Sequence, residues 1–268
     1  LKEEKARDIL MDLVATADVV IENFVPGTLE VWGLTYDAFR ARNEKIIFCR
    51  ISGFGQEGEY STRSALDLIV QGETGLIATN GTPEEPAKIS LSLCDISGAM
   101  YATVGILEAL FHRERTGRGQ EIQVALFDSI MTWTGYFPYM MWYGGKAPVR
   151  VGLHHHTMAP YGPYMAADGK QVIVAGGGGH VVMWRKFCEA IDDLALFDDP
   201  RFSNNNARLA NRAELDVRIS AAFARHDRAW WLTRFHEFGI PAGALNSFED
   251  ALDHQRFRDR DLIKEVQS

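Results

Sequence analysis

The chain has 268 residues, of which 46% are hydrophobic and 24% charged, so it is long enough for one large globular domain or two smaller ones. Its formal net charge is −8, and no run of Lys and Arg is long enough to bind a polyanion, which argues against a nucleic-acid partner. Three widely spaced cysteines without CxxC spacing predict free thiols and a cytoplasmic location. No apolar run approaches the ~20 residues that a bilayer requires, so no membrane association is expected.

The first 128 residues alternate between helix-like and strand-like segments. The pattern predicts helices at 3–15, 27–42, 66–79 and 95–114 and strands at 18–22, 45–52, 88–93 and 121–128. Because alternation with β-branched strands is typical of α/β domains, we expect a mostly parallel sheet covered by helices. The opening residues begin in mid-pattern and the final ones complete no element, so the chain is expected to be truncated at both ends.

The second half of the chain predicts a separate, smaller domain. Residues 129–150 are rich in aromatic residues and methionine without a clear period, and we interpret them as a crossing segment. Beyond them, the pattern predicts hairpin strands at 162–166 and 170–175, helices at 181–191, 211–224 and 227–238, and a short strand within GIPAGALNS.

Asp95 lies at the junction of two apolar patterns. Ile89, Leu91 and Leu93 alternate like a strand, and helical periodicity begins after Asp95. This position predicts a helix N-cap, for which aspartate is among the best residues. A carboxylate at a helix N-terminus that follows a strand also lies where α/β folds bind ligands, and it can act as a nucleophile in acyl transfer. Position alone leaves both interpretations open.

Two further stretches carry polar groups outside this junction. Three consecutive histidines, His154–His156, are poorly placed to bind one metal ion together, so no metal site is predicted. His155 or His156, with Tyr161 and Tyr164, could instead donate hydrogen bonds to a carboxylate of an acid. The glycine run 176–179 follows a predicted strand and, taken alone, predicts only a permissive loop.

Five stretches, in this order, resemble the family III CoA-transferases of the CaiB/BaiF type, which include the formyl-CoA transferases and the α-methylacyl-CoA racemases. They are ADVVIENFVPGTLEVWGL, ISGFGQEGEY, LDLIVQGETGL, CDISGAMYATVGILEALFHRERTGRGQEIQVALFD and VIVAGGGG. Each is weak alone, but their combination is highly specific and covers nearly the whole chain. The resemblance implies a Rossmann-like large domain (1–128, partial), a crossing linker (129–150), a small α+β domain (151–248), a return linker (249–268) and an interlocked homodimer.

The resemblance also implies a covalent reaction on Asp95, which matches the family's nucleophilic carboxylate by position. CoA would pass from an acyl-CoA such as succinyl-CoA to a short-chain, dicarboxylic acid through an aspartyl anhydride and an aspartyl-CoA thioester. Coenzyme A and its thioesters are substrates in this scheme, and no permanently bound cofactor is implied. A looser similarity around PYGPY to enzymes of the mesaconate, citramalate and itaconate type favours a small branched dicarboxylate.

Further site residues follow from the same resemblance. Asn23 and Phe24 match a CoA-contacting turn, and a plain strand-to-helix connection is the alternative interpretation. Val31 stands where some relatives carry Arg, so Arg50, Arg63 or residues missing from the N-terminal side are expected to bind the CoA phosphates. The glycine loop would lie over the carboxylate and donate backbone amides to an oxyanion, together with the acid-binding residues of the second domain. These loop and acid-binding residues are Gly176, Gly177, Gly178, Gly179, His155, His156 and Tyr161.

Three other functions remain open from the sequence. A racemase of this family needs a histidine before Asp67, and Leu66 occupies that position, so His112 or one of His154–His156 would have to replace it. A CoA-binding relative without catalysis would leave Asp95 unreactive. An acyl-CoA thioester hydrolase would release CoA without an acceptor acid.

Overall fold

The computed structural model describes residues 1–177, 180–264 and 266. It divides into two compact units, 1–152 and 153–268. Each unit has its own small sheet and its own hydrophobic core. The roles of 129–150 and 249–268 as linkers between domains stay predictions.

The first unit combines a three-stranded sheet with surrounding helices. Its helices and strands in chain order are α1 (Glu4–Val14), β1 (Val19–Glu22), α2 (Tyr36–Arg42), β2 (Ile47–Ser52), α3 (Asp67–Glu73), α4 (Leu76–Thr79), α5 (Leu93–Thr116), β3 (Glu121–Ala125), α6 (Leu126–Trp133) and α7 (Phe137–Gly144). A short 3-10 turn, Glu30–Trp32, precedes α2.

The sheet of this unit is parallel, as the alternating pattern predicted. Its order is β1-β2-β3, with β2 in the centre. Ile47, Phe48 and Cys49 of β2 are fully buried, which fits a strand covered on both faces. Because the strands run in one direction, Glu22 and Ser52, at the carboxyl ends of β1 and β2, lie at the same edge of the sheet.

Two of the predicted helices are each broken by a glycine. Residues 27–42 form the 3-10 turn and α2, separated at Gly33, whose φ is 70°. Residues 66–79 form α3 and α4, separated at Gly75, whose φ is 75°. A left-handed residue ends a helix and turns the chain, so the prediction of two continuous helices is wrong.

The strand predicted at 88–93 is absent from the structure, which describes all of these residues. The backbone amide of Ile89 and the carbonyl oxygens of Ile89 and Leu91 contact the Gln71 side chain instead of a neighbouring strand. The helix that follows starts at Leu93, two residues earlier than predicted. The apolar alternation therefore marks a segment fastened by one side chain.

The strand predicted at 121–128 ends at Ala125, where α6 begins. The amide of Phe127, in the first turn of α6, donates to the carbonyl of Gly53. The aromatic segment 129–150, which shows no clear period, contains the rest of α6 and all of α7. Aromatic residues on every side of a helix hide its period, because no single apolar face stands out.

The helix α5 is the longest of the first unit, with 24 residues. Its most apolar 18-residue window has a mean hydropathy of 1.3, so by length and composition alone it could cross a bilayer. The prediction that no segment reaches this length is therefore wrong for α5. A core helix of a soluble protein passes the same test, and α5 packs along one side against β2, β3 and α6.

The second unit combines an antiparallel sheet with a set of helices. Its helices and strands are β4 (Tyr161–Met165), β5 (Gln171–Ala175), α8 (Val181–Ala190), α9 (Leu194–Asp198), α10 (Asn205–Ala210), α11 (Arg212–Phe223), α12 (Arg228–Glu237), β6 (Ala242–Ala244), α13 (Phe248–Leu252) and α14 (Gln255–Asp259). The sheet order is β4-β5-β6. The predicted hairpin and the three predicted helices are present within two residues of their predicted bounds, and the short strand lies within GIPAGALNS as predicted.

The core of the second unit is a stack of aromatic rings. Phe187, Phe223, Trp231 and Phe235 are fully buried, and their ring centroids lie 4.6 to 6.0 Å apart in successive contacts. The indole nitrogen of Trp231 donates to the carbonyl of Phe223 at 2.9 Å, so its one polar group is satisfied. These rings join α8, α11 and α12 into one layer.

Candidate active site

Asp95 is the third residue of α5, so the prediction that it is the N-cap is wrong. Ser92 occupies the N-cap position, and its side chain makes no capping hydrogen bond. Cys94 is buried in a cluster with Val70 and Leu126, and Leu93 packs against the same cluster. Burial of these two residues extends the helix back by one half turn and places Asp95 inside its first turn.

The Asp95 side chain lines a cavity of about 510 Å³. The cavity lies where two parallel strands end, since Asn23 follows β1 and Ser52 is the last residue of β2. This is the edge at which open α/β sheets bind ligands. The other lining residues are Ile51, Gly53, Ala65, Leu66, Ala99 and Leu126. The structure therefore brings Asp95 and Asn23, both predicted from the sequence, to one cavity.

The wall of the cavity requires glycine at one position. A Cβ atom added to Gly53 would lie 2.2 Å from the Cβ of Ala65, and real Cβ contacts are not this short. The chain can therefore bring the end of β2 against the segment before α3 only because Gly53 has no side chain. This close approach explains the first glycine of the G-F-G-Q-x-G stretch without a ligand.

The charge state of Asp95 follows from its surroundings in the first unit. The side chain is exposed at the cavity. Its partial burial against the cavity wall and, second, the negative charge of Asp67 raise the pKa of Asp95 above its ordinary value. A helix N-terminus favours an ionised carboxylate, but here the two opposing causes prevail. The Asp95 carboxylate therefore forms at a higher pH than the carboxylate of an ordinary surface aspartate.

The residue before Asp95 is a cysteine that is not available for nucleophilic attack. Cys94 is fully buried. Burial and, second, the charge of Asp67 raise the pKa of the Cys94 thiol to about 12. At neutral pH this side chain is a thiol, and the thiolate is the reactive form of cysteine. Of these two neighbours, only Asp95 can attack an acyl group.

The two residues predicted to contact CoA have different surroundings. Asn23 lines the cavity with Asp95. Phe24 is 45% exposed, and its ring meets Trp32 edge-on at 6.4 Å. The backbone amide of Phe24 donates to the carboxylate of Glu22 at 2.8 Å, which fixes the turn after β1. A partly exposed ring beside a lined cavity presents an aromatic face that a ligand can contact.

The two arginines considered for the CoA phosphates differ in the same way. Arg50 is buried in β2, and its guanidinium forms ion pairs with carboxylates on three other segments, those of Glu22, Glu30 and Glu121. With its donors used and its charge compensated, Arg50 is unsuited to phosphate binding. Arg63 is exposed and lies 3.7 Å over the ring of Tyr60. Arg63 is therefore the better candidate of the two, although it does not line the cavity of Asp95, and its role as a phosphate ligand stays a prediction.

His155 and Tyr161 lie in the second unit and stack on one another. Their ring centroids are 4.9 Å apart and their planes are inclined by 5°. The Nδ1 atom of His155 accepts the backbone amide of Thr157 at 3.1 Å, which leaves the proton of the neutral ring on Nε2. Burial, followed by the charges of His156 and Arg212, lowers the pKa of His155. At neutral pH the ring is therefore uncharged and acts as a hydrogen-bond donor.

His156 is half-buried and directly follows His155, and both belong to the histidine run considered above as a metal site. Among residues 1–177, 180–264 and 266, the structure contains no group of three or more His, Cys, Asp or Glu side chains placed to bind a metal ion. The acid-binding role predicted for His155, His156 and Tyr161 stays a prediction.

The glycine run is described for its first two residues, Gly176 and Gly177, while Gly178 and Gly179 lie outside the described residues. The amides of Gly176 and Gly177 both donate to the carbonyl of Pro160 at 3.1 Å. These two amides are thus already bonded, which the expectation of oxyanion donors did not anticipate. A Cβ added to Gly177 would lie 2.0 Å from the carbonyl oxygen of Ala159, so glycine is required for packing here.

Two residues of structural weight were missed in the sequence. Arg208 is buried, and its guanidinium donates to the carbonyl oxygens of Ala159, Phe202 and Gly177. Gln71 is fully buried and bonds the segment before α5. Helical spacing in the sequence places Gln71 one turn after Asp67. It gives no information on the contacts of Gln71 with Ile89 and Leu91, which lie 18 and 20 residues away.

The sequence matches CoA-transferase family III over residues 1–268. Among curated proteins, it is 34% identical over 266 residues to the acetyl-CoA:oxalate CoA-transferase of Acetobacter aceti, covering 98% of this chain and 67% of that protein. It is 33% identical over 273 residues to the succinyl-CoA:mesaconate CoA-transferase of Haloarcula marismortui, covering 99% of this chain and 67% of that protein.

A crystal structure of a CAIB/BAIF family protein from Brucella suis is also similar to this chain. Its TM-score is 0.82 with 36% sequence identity, covering 97% of this chain and 68% of that one. The chain thus spans about two thirds of the length of the curated relatives it matches. A match along the entire sequence, together with relatives above 30% identity, establishes the assignment: this chain belongs to CoA-transferase family III.

Proposed function

We propose that this protein transfers CoA between an acyl-CoA and a short dicarboxylic acid by covalent catalysis on Asp95. The observation that carries this proposal is the position of Asp95 in a cavity at the carboxyl edge of a parallel sheet, beside Asn23. Membership of family III supports the reaction class. The carboxylate is a nucleophile of the kind that divides a difficult acyl transfer into easier steps.

The proposed reaction has four steps that regenerate Asp95. The Asp95 carboxylate attacks the thioester carbonyl, expels the CoA thiolate and forms a mixed anhydride. The thiolate then attacks the aspartyl carbonyl, which releases the donor acid and leaves an aspartyl-CoA thioester. The acceptor carboxylate displaces the thiolate from this thioester and forms a second anhydride. Attack of the thiolate on the acceptor's carbonyl gives the new acyl-CoA and frees the Asp95 carboxylate.

The acceptor is proposed to be a small dicarboxylic acid. The relatives described above are named for oxalate and for mesaconate, both dicarboxylates. In the second unit, the neutral His155 ring stacks on Tyr161 and carries its proton on Nε2. We propose that His155, His156 and Tyr161 bind the second carboxylate of the acid, because imidazole N–H and phenol O–H groups are hydrogen-bond donors and a carboxylate accepts.

Racemisation is disfavoured by the geometry of the first unit. Leu66 lines the cavity where a racemase of this family needs histidine, and a leucine side chain cannot transfer a proton. His112 lies on the same helix as Asp95, 17 residues further on. At 1.5 Å per residue, this places the two residues about 25 Å apart along the axis. Within one chain, His112 therefore cannot be the second base.

We further propose the finer features that the family resemblance implies. These are a Rossmann-like organisation of the first domain, an interlocked homodimer and a cytoplasmic location. The three cysteines are free and buried, which fits a reducing compartment. The parallel order β1-β2-β3 fits a Rossmann-like sheet.

The substrate class is tested by incubating the full-length protein with succinyl-CoA and a panel of dicarboxylic acids, with mass spectrometry of the CoA products. A transferase forms the acceptor's CoA thioester and consumes succinyl-CoA in equal amount. Monocarboxylic acids of matched length serve as the control for the second carboxylate. Free CoA without a new thioester would identify a hydrolase, and unchanged succinyl-CoA across the panel would contradict the proposal.

A further inference from the structure

Gln71 joins α3 to the segment that precedes α5. It is fully buried, and its side-chain oxygen accepts the amide of Ile89 at 2.9 Å. Its side-chain nitrogen lies 3.3 Å from the carbonyl oxygens of Ile89 and Leu91 and 2.7 Å from a carboxylate oxygen of Asp67. A buried amide bonded through both of its atoms fixes the segments that it joins.

Asp67 completes this connection at the start of α5. One carboxylate oxygen accepts from Gln71, and the other accepts the backbone amide of Cys94 at 2.8 Å. Cys94 is the second residue of α5, so Asp67 caps a helix to which it does not belong. Asp67 is itself the first residue of α3. One carboxylate therefore links the N-termini of two helices.

The Asp95 side chain takes no part in capping α5. An acidic residue at the third position of a helix commonly bonds back to the N-cap amide. Within the described part of the chain, no hydrogen bond is made by the Asp95 side chain, and Ser92 makes no capping bond. Asp67 bonds the amide of Cys94, the residue directly before Asp95, so it fixes the first turn of α5 while the Asp95 carboxylate stays unbonded at the cavity.

We infer that Asp67 and Gln71 are a positioning pair, which caps α5 from outside the helix and leaves the Asp95 carboxylate unbonded at the cavity as the nucleophile. The inference rests on the proposed function and adds two residues to it. Neither residue lines the cavity, so neither is assigned contact with substrate. Their effect passes through the position and charge of Asp95.

The charge of Asp67 gives the pair a second effect. Among the described residues, Asp67 is the charged group that acts on the ionisation of Asp95, and it disfavours the carboxylate. In the proposed anhydride and thioester, the Asp95 oxygen carries no charge, so the repulsion is relieved when Asp95 is acylated. Asp67 thus raises the free energy of the free nucleophile relative to both covalent intermediates.

Two variants separate the position from the charge. Asp67→Asn removes the charge and sets a donor against the donor of Gln71, while Gln71→Met removes the bonds to Ile89 and Asp67 but leaves the charge. Each is measured in the full-length protein with succinyl-CoA, for kcat, for KM and for the pH midpoint of the acidic limb. The matched control is Asp37→Asn, which changes an exposed first-turn aspartate of α2, a helix of the same length as α3.

We expect both variants to lower kcat about 10- to 100-fold, with KM for the acyl-CoA changed less than about threefold, because the nucleophile is misplaced while CoA contacts remain. Asp67→Asn also moves the acidic limb to lower pH, whereas Gln71→Met leaves it in place. Asp37→Asn changes neither. Should Asp67→Asn not fold, as judged by circular dichroism, Gln71→Met decides the positional claim by itself.

Hydroxylamine trapping keeps this inference separate from the proposed function. Wild-type protein incubated with succinyl-CoA and hydroxylamine should give a hydroxamate at Asp95. If it does, and folded Asp67→Asn or Gln71→Met retains wild-type kcat, the positioning pair is overturned while the proposed function stands. If wild-type protein gives no hydroxamate, the proposed function fails and the inference fails with it.

Discussion

The two units of this protein differ in how completely they are packed. Within the described residues, the second unit has one large core built around stacked aromatic rings, whereas the first has three smaller clusters around its parallel sheet. On α5, one apolar series at helical spacing stays exposed. Its members are Ile96, Met100, Val104, Leu107 and Phe111. The first unit, which contains the candidate nucleophile, is therefore less completely packed than the second.

The largest expected effect comes from the first unit. Asp95→Asn keeps the shape of the side chain but removes the nucleophilic carboxylate, and it should lower transferase turnover about 10⁴-fold or more, as loss of a covalent nucleophile does elsewhere. Its control is Asp128→Asn in the first turn of α6, which lines a different cavity and should change turnover little. Substantial turnover in Asp95→Asn would contradict the assignment of Asp95 as the nucleophile.

The difference in packing between the two units is tested by the same substitution, Leu to Ala, made once in each unit. Leu215 on α11 is fully buried and Leu107 on α5 is 60% exposed. Leu215→Ala should lower the free energy of unfolding by about 2 to 5 kcal/mol, and Leu107→Ala by about 0.5 kcal/mol or less. Urea denaturation followed by circular dichroism measures both. Equal losses would mean that another surface covers α5 in solution.

The smallest expected effect is a displacement on the pH axis. Because the pKa of Asp95 is raised above 3.8, the ordinary value for aspartate, the carboxylate is protonated as the pH falls through this higher value. The kcat/KM for an acyl-CoA without a second carboxylate should therefore rise with pH through a midpoint above 3.8. Circular dichroism across the same range controls for acid unfolding. Constant kcat/KM down to pH 3.8 would contradict the assigned charge state.

The sequence predicts the fold correctly where local patterns of apolar and turn residues determine the secondary structure. The parallel strands of the first unit and the hairpin of the second follow from alternation and turn residues in the sequence. The missed features depend on single residues or on distant partners. Gly33 and Gly75 adopt left-handed backbone within apparently continuous helices. Residues 88–93 alternate like a strand, but the side chain of Gln71 takes the place of a neighbouring strand.

The sequence predicts those residues of the candidate site that belong to recognisable motifs. Asp95 and Asn23 were identified from the sequence and meet at one cavity. The sequence did not exclude Arg50 as a phosphate ligand, although it lies in an apolar strand and Arg63 in a polar stretch, until the structure placed three carboxylates around Arg50. The bond from Asp67 to the amide of Cys94 spans 27 residues, and no local pattern indicates it.

The central claim is that the Asp95 carboxylate attacks a thioester carbon. The most direct test is to incubate the full-length protein with succinyl-CoA and hydroxylamine, digest it and locate the modification by mass spectrometry. We predict an aspartyl hydroxamate at Asp95 that is absent without succinyl-CoA and absent from Asp95→Asn. An unmodified Asp95 in protein that still converts succinyl-CoA, or a hydroxamate at another carboxylate, would contradict this account.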